Sequence, residues 1–243
     1  MRESSNVFFS VDAGVEGDRA FFLMDGAGKL MSATRTACFL RYWASFDPAR
    51  EVLAIGRGGE TLVEERVVAD GATQAHFFGD RHASGRLVRG PWNRFLSEVA
   101  GEPVRLVRAT GPLGGFDVHP VSLLAGASVR ALTDNSRRDP LDGRRFRMTI
   151  TVEGVPAFGE DAWLGSALRI GDSLVRVTSR VRRCAAVQKD PDGAEEAEDA
   201  LRRIKQVRGT AITPLGRGLC LGIYGDVEGS GSVQLGDSVR RMA

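Results

Sequence analysis

The sequence is short of cysteine, lysine and long apolar runs, and each shortage excludes something. Cys38, Cys184 and Cys220 are the three cysteines of the 243 residues, far apart and without a Cys-x-x-Cys pair. A zinc ribbon or an iron–sulfur cluster built by this chain alone has no support. So small and odd a number of thiols fits a reducing compartment, hence a cytoplasmic protein, with at most one special thiol. No apolar run approaches the roughly 18 residues that a transmembrane helix needs, so no membrane span is expected. The start, "MRESSNVFFSVDAG", lacks the basic onset, long apolar core and cleavage site of a secretory signal. The three histidines, His76, His82 and His119, form no His-x-x-x-His pair. Phosphate-cradling Gly loops of the G-x-x-x-x-G-K-[ST] and G-x-G-x-x-G types are missing, as is a G-x-S-x-G nucleophile elbow. A net charge of only +2 argues against a nucleic-acid partner. Lys29, Lys189 and Lys205 are the only lysines; every other base is arginine. Coding bias of a GC-rich genome accounts for most of this. At a few positions the planar guanidinium fork suits recognition of oxyanions.

What is present is an ordinary soluble balance, 42% hydrophobic and 26% charged, in a chain long enough for one large domain or two smaller ones. "NVFFSV", "AFFLMD", "EVLAIGRGGETLVEERVV" and "EPVRLVRA" read as strands, with "MDGAGKLM" as a Gly-rich hairpin. "GPWNRFLSEVAG" reads as a helix with Pro91 at its first position. Trp92, Phe95, Leu96 and Val99 form its apolar face, and Gly101 is its stop. "TGPLGGFDVHP" (110–120) reads as a loop between domains. "PVSLLAGASVRALTD" reads as a helix and "RRFRMTITVEG" as a strand. "LRIGDSLVRVTSRV" is a strand pair. "AEEAEDALRRIKQVRG" is a helix with Ala197, Ala200, Leu201, Ile204 and Val207 inward, its acids early and bases late as the helix dipole favours. A final strand pair closes the chain. Glu160 and Asp161, placed on a strand, would face opposite sides, which weakens them as an acid–base couple. The expected class is mainly β with a few helices (α+β), arranged as two barrel-like lobes.

One stretch invites chemistry. In "RVRRCAAVQKDPDG" (180–193), Cys184 follows Arg180, Arg182 and Arg183. Guanidinium groups near a thiol favour thiolate, which is a nucleophile, a redox group or a soft metal ligand. On local sequence alone, a small core residue with outward-pointing arginines is the more common meaning. "DPDG" is a turn rather than a calcium loop.

The order of landmarks resolves the choice. "SLLAGASVRAL", "RRFRMTITVEG", "FGEDAWLGSALRIGDSLVRV", "RRCAAVQKDPDG" and "LGIYGDVEGSGSVQLGDSV" together resemble the MOSC domain, in its amidoxime-reducing branch. "GVEGDRAFFLMDGAGKLMSATR" and "GPWNRFLSEVAGEPVRLVR" resemble the N-terminal β-barrel domain of the same proteins. The resemblance implies an N-terminal domain over 1–108 that starts after the family's first strand, and a MOSC β-barrel over 109–243. It implies molybdenum held by a pterin dithiolene (molybdopterin), with Cys184 as metal ligand and catalytic sulfur. Arg19, Ser128, Arg147, Thr149, Arg183 and Tyr224 match cofactor-binding positions. A separate electron-donor protein and a small N-hydroxylated substrate would be the partners. The chain departs from the family in starting after its Lys-Ser pair, in Thr149 standing where asparagine is usual, and in Arg182 replacing a small residue.

Two other functions fit the same residues. One is a metal-free sulfur carrier using a Cys184 persulfide. The other is a non-catalytic binding module that keeps the barrels alone.

Overall fold

The computed structural model describes residues 4–77, 81–110, 114–116, 118–134, 141–193, 199–213 and 215–242. The first elements are β1 (Asn6–Ser10), β2 (Gly14–Val15), β3 (Phe21–Asp25), β4 (Trp43–Asp47), β5 (Val52–Arg57) and β6 (Glu60–Arg66). Then come β7 (Val68–His76), β8 (His82–Arg89), α1 (Trp92–Ala100), β9 (Val104–Ala109), β10 (Val121–Ala125) and α2 (Gly126–Asp134). The chain continues through β11 (Ile150–Val152), β12 (Ala167–Ile170), β13 (Ser173–Arg182), α3 (Ala200–Arg208), β14 (Ala211–Thr213) and β15 (Gly216–Gly218). It closes with β16 (Cys220–Gly229), β17 (Gly231–Gln234) and β18 (Val239–Arg241). The class is mainly β, as expected, and the sheets include a curled half-barrel. Among the described residues no helix is long and apolar enough to cross a membrane.

Contacts divide the chain into two compact units. Residues 17–117 form most of the first; residues 3–16, 118–191 and 195–243 form the second. β1 belongs to the second unit, where it pairs antiparallel with β17 through Asn6↔Gln234 and Phe9↔Gly231.

In the first unit, strands in the order β3-β9-β8-β7 and β4-β5-β6 make two sheets. Trp92 and Leu96 of α1 pack on Leu53, Val88 and Leu106. Pro91 sits one residue before the helix, at φ −69 and ψ −18, where its missing N–H costs nothing. Gly101 ends the helix in the left-handed region at φ 70. The expected hairpin at "MDGAGKLM" reduces to a bridge between Met24 and Leu30. Asp25 causes this: its Oδ1 accepts the N–H groups of Ala27 and Lys29, making a side-chain turn.

In the second unit the sheet order is β11-β10-β16-β13-β12-β18. Only the β10–β11 pair is parallel. Phe9, Leu123, Leu168, Val175 and Ile223 fill its core.

Three expectations need correction. "PVSLLAGASVRALTD" is not one helix: Val121–Ala125 is a strand and the helix begins at Gly126. All five strand residues are buried, and a fully buried strand shows an unbroken apolar run that periodicity cannot separate from a buried helix. "RRFRMTITVEG" is a strand only at Ile150–Val152. Gly143–Phe146 is a 3₁₀ turn, started by the Asp142 carboxylate on the Arg144 N–H. Glu160 and Asp161 also lie on a 3₁₀ turn, Gly159–Trp163, rather than on a strand. The third helix is described from Ala200; Ala197, expected on its inner face, lies outside the described residues.

Candidate functional site

The polypeptide around Cys184 is built from two short turns that hold each other. Cys184 follows the long strand β13, two residues past its end, and stands at the N-cap position of the 3₁₀ turn Ala185–Gln188. Its thiol is exposed, unlike that of Cys220, which is buried. The facing turn is Gly143–Phe146, followed by Arg147.

Arg183 links the two. Its Nη1 donates to the Phe146 carbonyl at 2.9 Å, and its Nε donates to the Leu221 carbonyl at 2.9 Å. Nη2 also donates to Leu221 O and touches the Met148 sulfur. The guanidinium lies over the Phe146 ring, 5.4 Å from its centroid. Burial pulls the Arg183 pKa down to about 10, opposed by Tyr224, Cys184 and Cys220. Arg183 thus remains a cation at neutral pH, committed to carbonyl oxygens rather than to solvent.

Arg145 makes the reverse connection, and the sequence reading missed it. It is buried, and its Nη1 donates to the carbonyls of Val187 at 3.0 Å and Lys189 at 3.2 Å. The turn after Cys184 is therefore pinned to the turn before Arg147. No local signal marks Arg145: a buried arginine within "GRRFR" looks like any charged loop.

Arg147 itself is exposed and holds a left-handed backbone, φ 53 and ψ 41. Arg19 does the same in the first unit, at φ 51. Non-glycine residues rarely adopt this region, and when they do they cluster at functional sites. The Arg19 guanidinium pairs with Asp18 and lies 5.6 Å from the Phe116 ring centroid. The other two arginines before Cys184 point elsewhere. Arg180 pairs with Asp161, and Arg182 donates to the Leu215 carbonyl.

Thr149 and Ser122 lock together. Thr149 N–H donates to Ser122 Oγ at 3.0 Å, and Ser122 N–H donates to Thr149 Oγ1 at 3.1 Å. Ser122 is the register partner of Tyr224 on β16. The Tyr224 ring lies 5.5 Å from that of His119, whose Nδ1 is 2.8 Å from Asp226 Oδ1. Gly222, two residues earlier, has φ 78, and a Cβ there would fall 2.7 Å from both Leu123 O and Met148 Cε.

Ser128 is fully buried inside the fold. Its hydroxyl donates to the Glu160 carboxylate, 2.9 Å from each oxygen, and accepts the Phe158 N–H at 2.7 Å. Glu160 is also fully buried, which raises its pKa; Ser128 only partly offsets this. Among the described residues no cluster of three His, Cys, Asp or Glu side chains could hold a metal by itself.

The structure therefore places Arg147 and Cys184 at the ends of two turns that Arg183 and Arg145 join. Met148 and Gly222 connect Arg183 to the strand that bears Tyr224. Ser128 is committed to Glu160, and Arg19 belongs to the first unit.

Comparisons with known proteins bear on the second unit. The MOSC domain family matches residues 110–240. Mitochondrial amidoxime reducing component 2 of Rattus norvegicus is 32% identical over 130 residues, 52% of this chain and 38% of that protein. Mitochondrial amidoxime-reducing component 1 of Xenopus laevis is 30% identical over 131 residues, 52% of this chain and 37% of its own length. The match thus spans less than two fifths of these relatives. A solved structure of YiiM from Geobacillus stearothermophilus covers 51% of this chain and 55% of its own, at 18% identity and a TM-score of 0.39. With more than half of its residues matched, the chain belongs to the MOSC domain family.

Proposed function

We propose that this protein holds a molybdenum–pterin cofactor at Cys184 and uses it to reduce small N-hydroxylated compounds. The observation that carries this reading is the exposed Cys184 on a turn clamped by two guanidinium contacts, one of them buried. A metal already bound by dithiolene sulfurs needs one further soft donor, not a three-residue protein cluster. A single accessible thiol on a rigid turn fits that need. The exposed Arg147, held in the left-handed region, adds a cation for an anionic group.

When bound, the cofactor supplies a metal that changes oxidation state as the N–O bond is cleaved. The protein residues supply placement. Cys184 would be the protein's sulfur ligand, and Arg147 would face the cofactor phosphate. Arg183 and Arg145 are positioning residues, since their donors are used on carbonyls. Thr149 and Ser122 fix the strand opposite Tyr224. Ser128 acts through Glu160, and the role of Arg19 rests on the family resemblance. Electrons would come from a separate protein. Three cysteines without a disulfide suit a cytoplasmic setting. Residues 1–108 and 109–243 remain the proposed domain assignments, with β1 lent to the second.

The test is molybdenum and pterin content of protein made in a cofactor-producing host, beside the Cys184→Ala variant, with turnover of an aryl amidoxime. About one molybdenum per chain, lost in the variant, is the expected result. Folded wild-type protein holding neither molybdenum nor pterin would overturn the reading.

The exposure of Cys184 also favours a second reading, a persulfide carrier. Cyanide should then release thiocyanate from sulfur-loaded protein; no release removes it.

A further inference from the structure

On the surface of the first unit lies an open cavity of about 590 Å³ whose walls include the exposed Arg66 and Arg86, with Arg108 and Glu51. The three arginines come from three strands, β6, β8 and β9. Arg108 is already paired: its Nη1 and Nη2 reach the two oxygens of Glu51 at 2.5 and 3.0 Å. That pairing is the main reason the Glu51 carboxyl sits below its ordinary pKa, and Arg66 adds to it. Among the described residues neither Arg66 nor Arg86 has a carboxylate at ion-pair distance. The wall thus carries three positive charges against one negative.

Two local features frame this excess of positive charge. Arg86 stands directly opposite Arg108 across β8 and β9, and like charges in that register destabilise a sheet. Glu51 holds a left-handed backbone at φ 56 while its carbonyl accepts the Val67 N–H at 2.7 Å, a strained geometry for a residue with a Cβ. The rest of the wall includes the apolar Val67 and Ala69. The volume falls within the range of small-molecule sites, roughly 300–1,000 Å³.

We propose that this cavity binds a small organic phosphate monoester. Arg66 and Arg86 hold the phosphate, Glu51 orients Arg108 beside it, and Val67 and Ala69 contact the organic part. A phosphate ester brings close to two negative charges on one tetrahedral group, matching the two charges in excess. Its oxygens can serve guanidinium forks arriving from different strands. The site uses none of the residues assigned to the Cys184 turn.

The experiment is calorimetric titration of the full chain with phenyl phosphate at low salt, beside glutarate as a dicarboxylate. Arg66→Gln and Arg86→Gln should each weaken phenyl phosphate binding about tenfold, the scale of one charge-assisted hydrogen bond. Cys184→Ala should leave it unchanged, and glutarate should bind more weakly. The ligand-free Arg86→Gln variant should melt no lower than wild type, because a like-charge pair is relieved. Undetectable phenyl phosphate binding, or equal binding by the Arg66→Gln/Arg86→Gln double variant, would overturn the site. Glutarate binding as tight as phenyl phosphate would overturn the ligand class. A lower melting point for Arg86→Gln would make Arg86 structural and count against it too.

Discussion

Arg183 and Arg145 each reach across to the other's segment. Arg183, just before Cys184, donates to the carbonyl of Phe146; Arg145, just before Phe146, donates to the carbonyl of Val187. The two turns are therefore held from both sides, and neither can shift without breaking a bond that the other depends on.

This reciprocity predicts non-additive losses. Arg183→Met and Arg145→Met should each cost about 1.5–3 kcal/mol, the range for hydrogen bonds made by charged groups. The double variant should cost less than the sum, since either change alone loosens the same pair of turns. Urea unfolding of the four proteins measures this. Strict additivity would show the two contacts to be independent.

Thiol chemistry should be ordered. Cys184 is exposed, whereas Cys220 is buried and burial pushes its thiol pKa up, against nearby arginines. Cys38 is half-buried and likewise raised by burial. Thiolate is the reacting form, so one equivalent of iodoacetamide should label Cys184 first. Mass mapping of the labelled peptide reads the result; prior labelling at Cys220 would contradict the geometry.

Glu160 predicts a pH effect of definite sign. Its folded-state pKa is raised, first by burial. Folded protein then binds more protons than unfolded protein between the ordinary glutamate range and the raised value. Stability from this group is complete below that window and falls as pH rises through it. Asp25 behaves oppositely: burial would raise it, but the Lys29 N–H and Arg35 bonds outweigh burial and lower its pKa. Its contribution is therefore lost as pH falls. Comparing wild type with Glu160→Gln from about pH 4 to about pH 8 isolates the Glu160 component. The difference should favour the variant increasingly toward higher pH, and a flat difference would refute the assignment.

Thr149→Val should cost about 1–3 kcal/mol, because it removes the acceptor of the Ser122 N–H and leaves that donor unmet within β10. Thermal unfolding tests it, and Thr149→Ser should recover most of the loss.

Much of the fold was legible where chemistry is local. Gly101 announced a helix end and the Gly58–Gly59 turn announced a strand pair, since both need backbone freedom that the sequence spells out. The class and the family followed from strand-rich patterning and landmark order. What stayed hidden was decided at a distance. Val121–Ala125 is a strand because two other strands flank it, not because of its own residues. Arg183 was legible as important but not in its use: sequence suggested a cation for the thiol, and the structure spends it on carbonyls. Arg145 and the Ser128–Glu160 bond had no marker, because a buried polar contact is a property of two partners far apart in the chain. Asn6↔Gln234 pairing was hidden for the same reason.

The seat of Phe9 has a consequence for biosynthesis. Its ring is wholly enclosed with Val15 and Val233, on a strand that pairs with β17, far along the chain. On a ribosome, residues 17–117 can collapse while the rest is still being made. The unit bearing Cys184 must wait for β16 and β17 to be made, so its assembly follows that of residues 17–117 and is of high contact order.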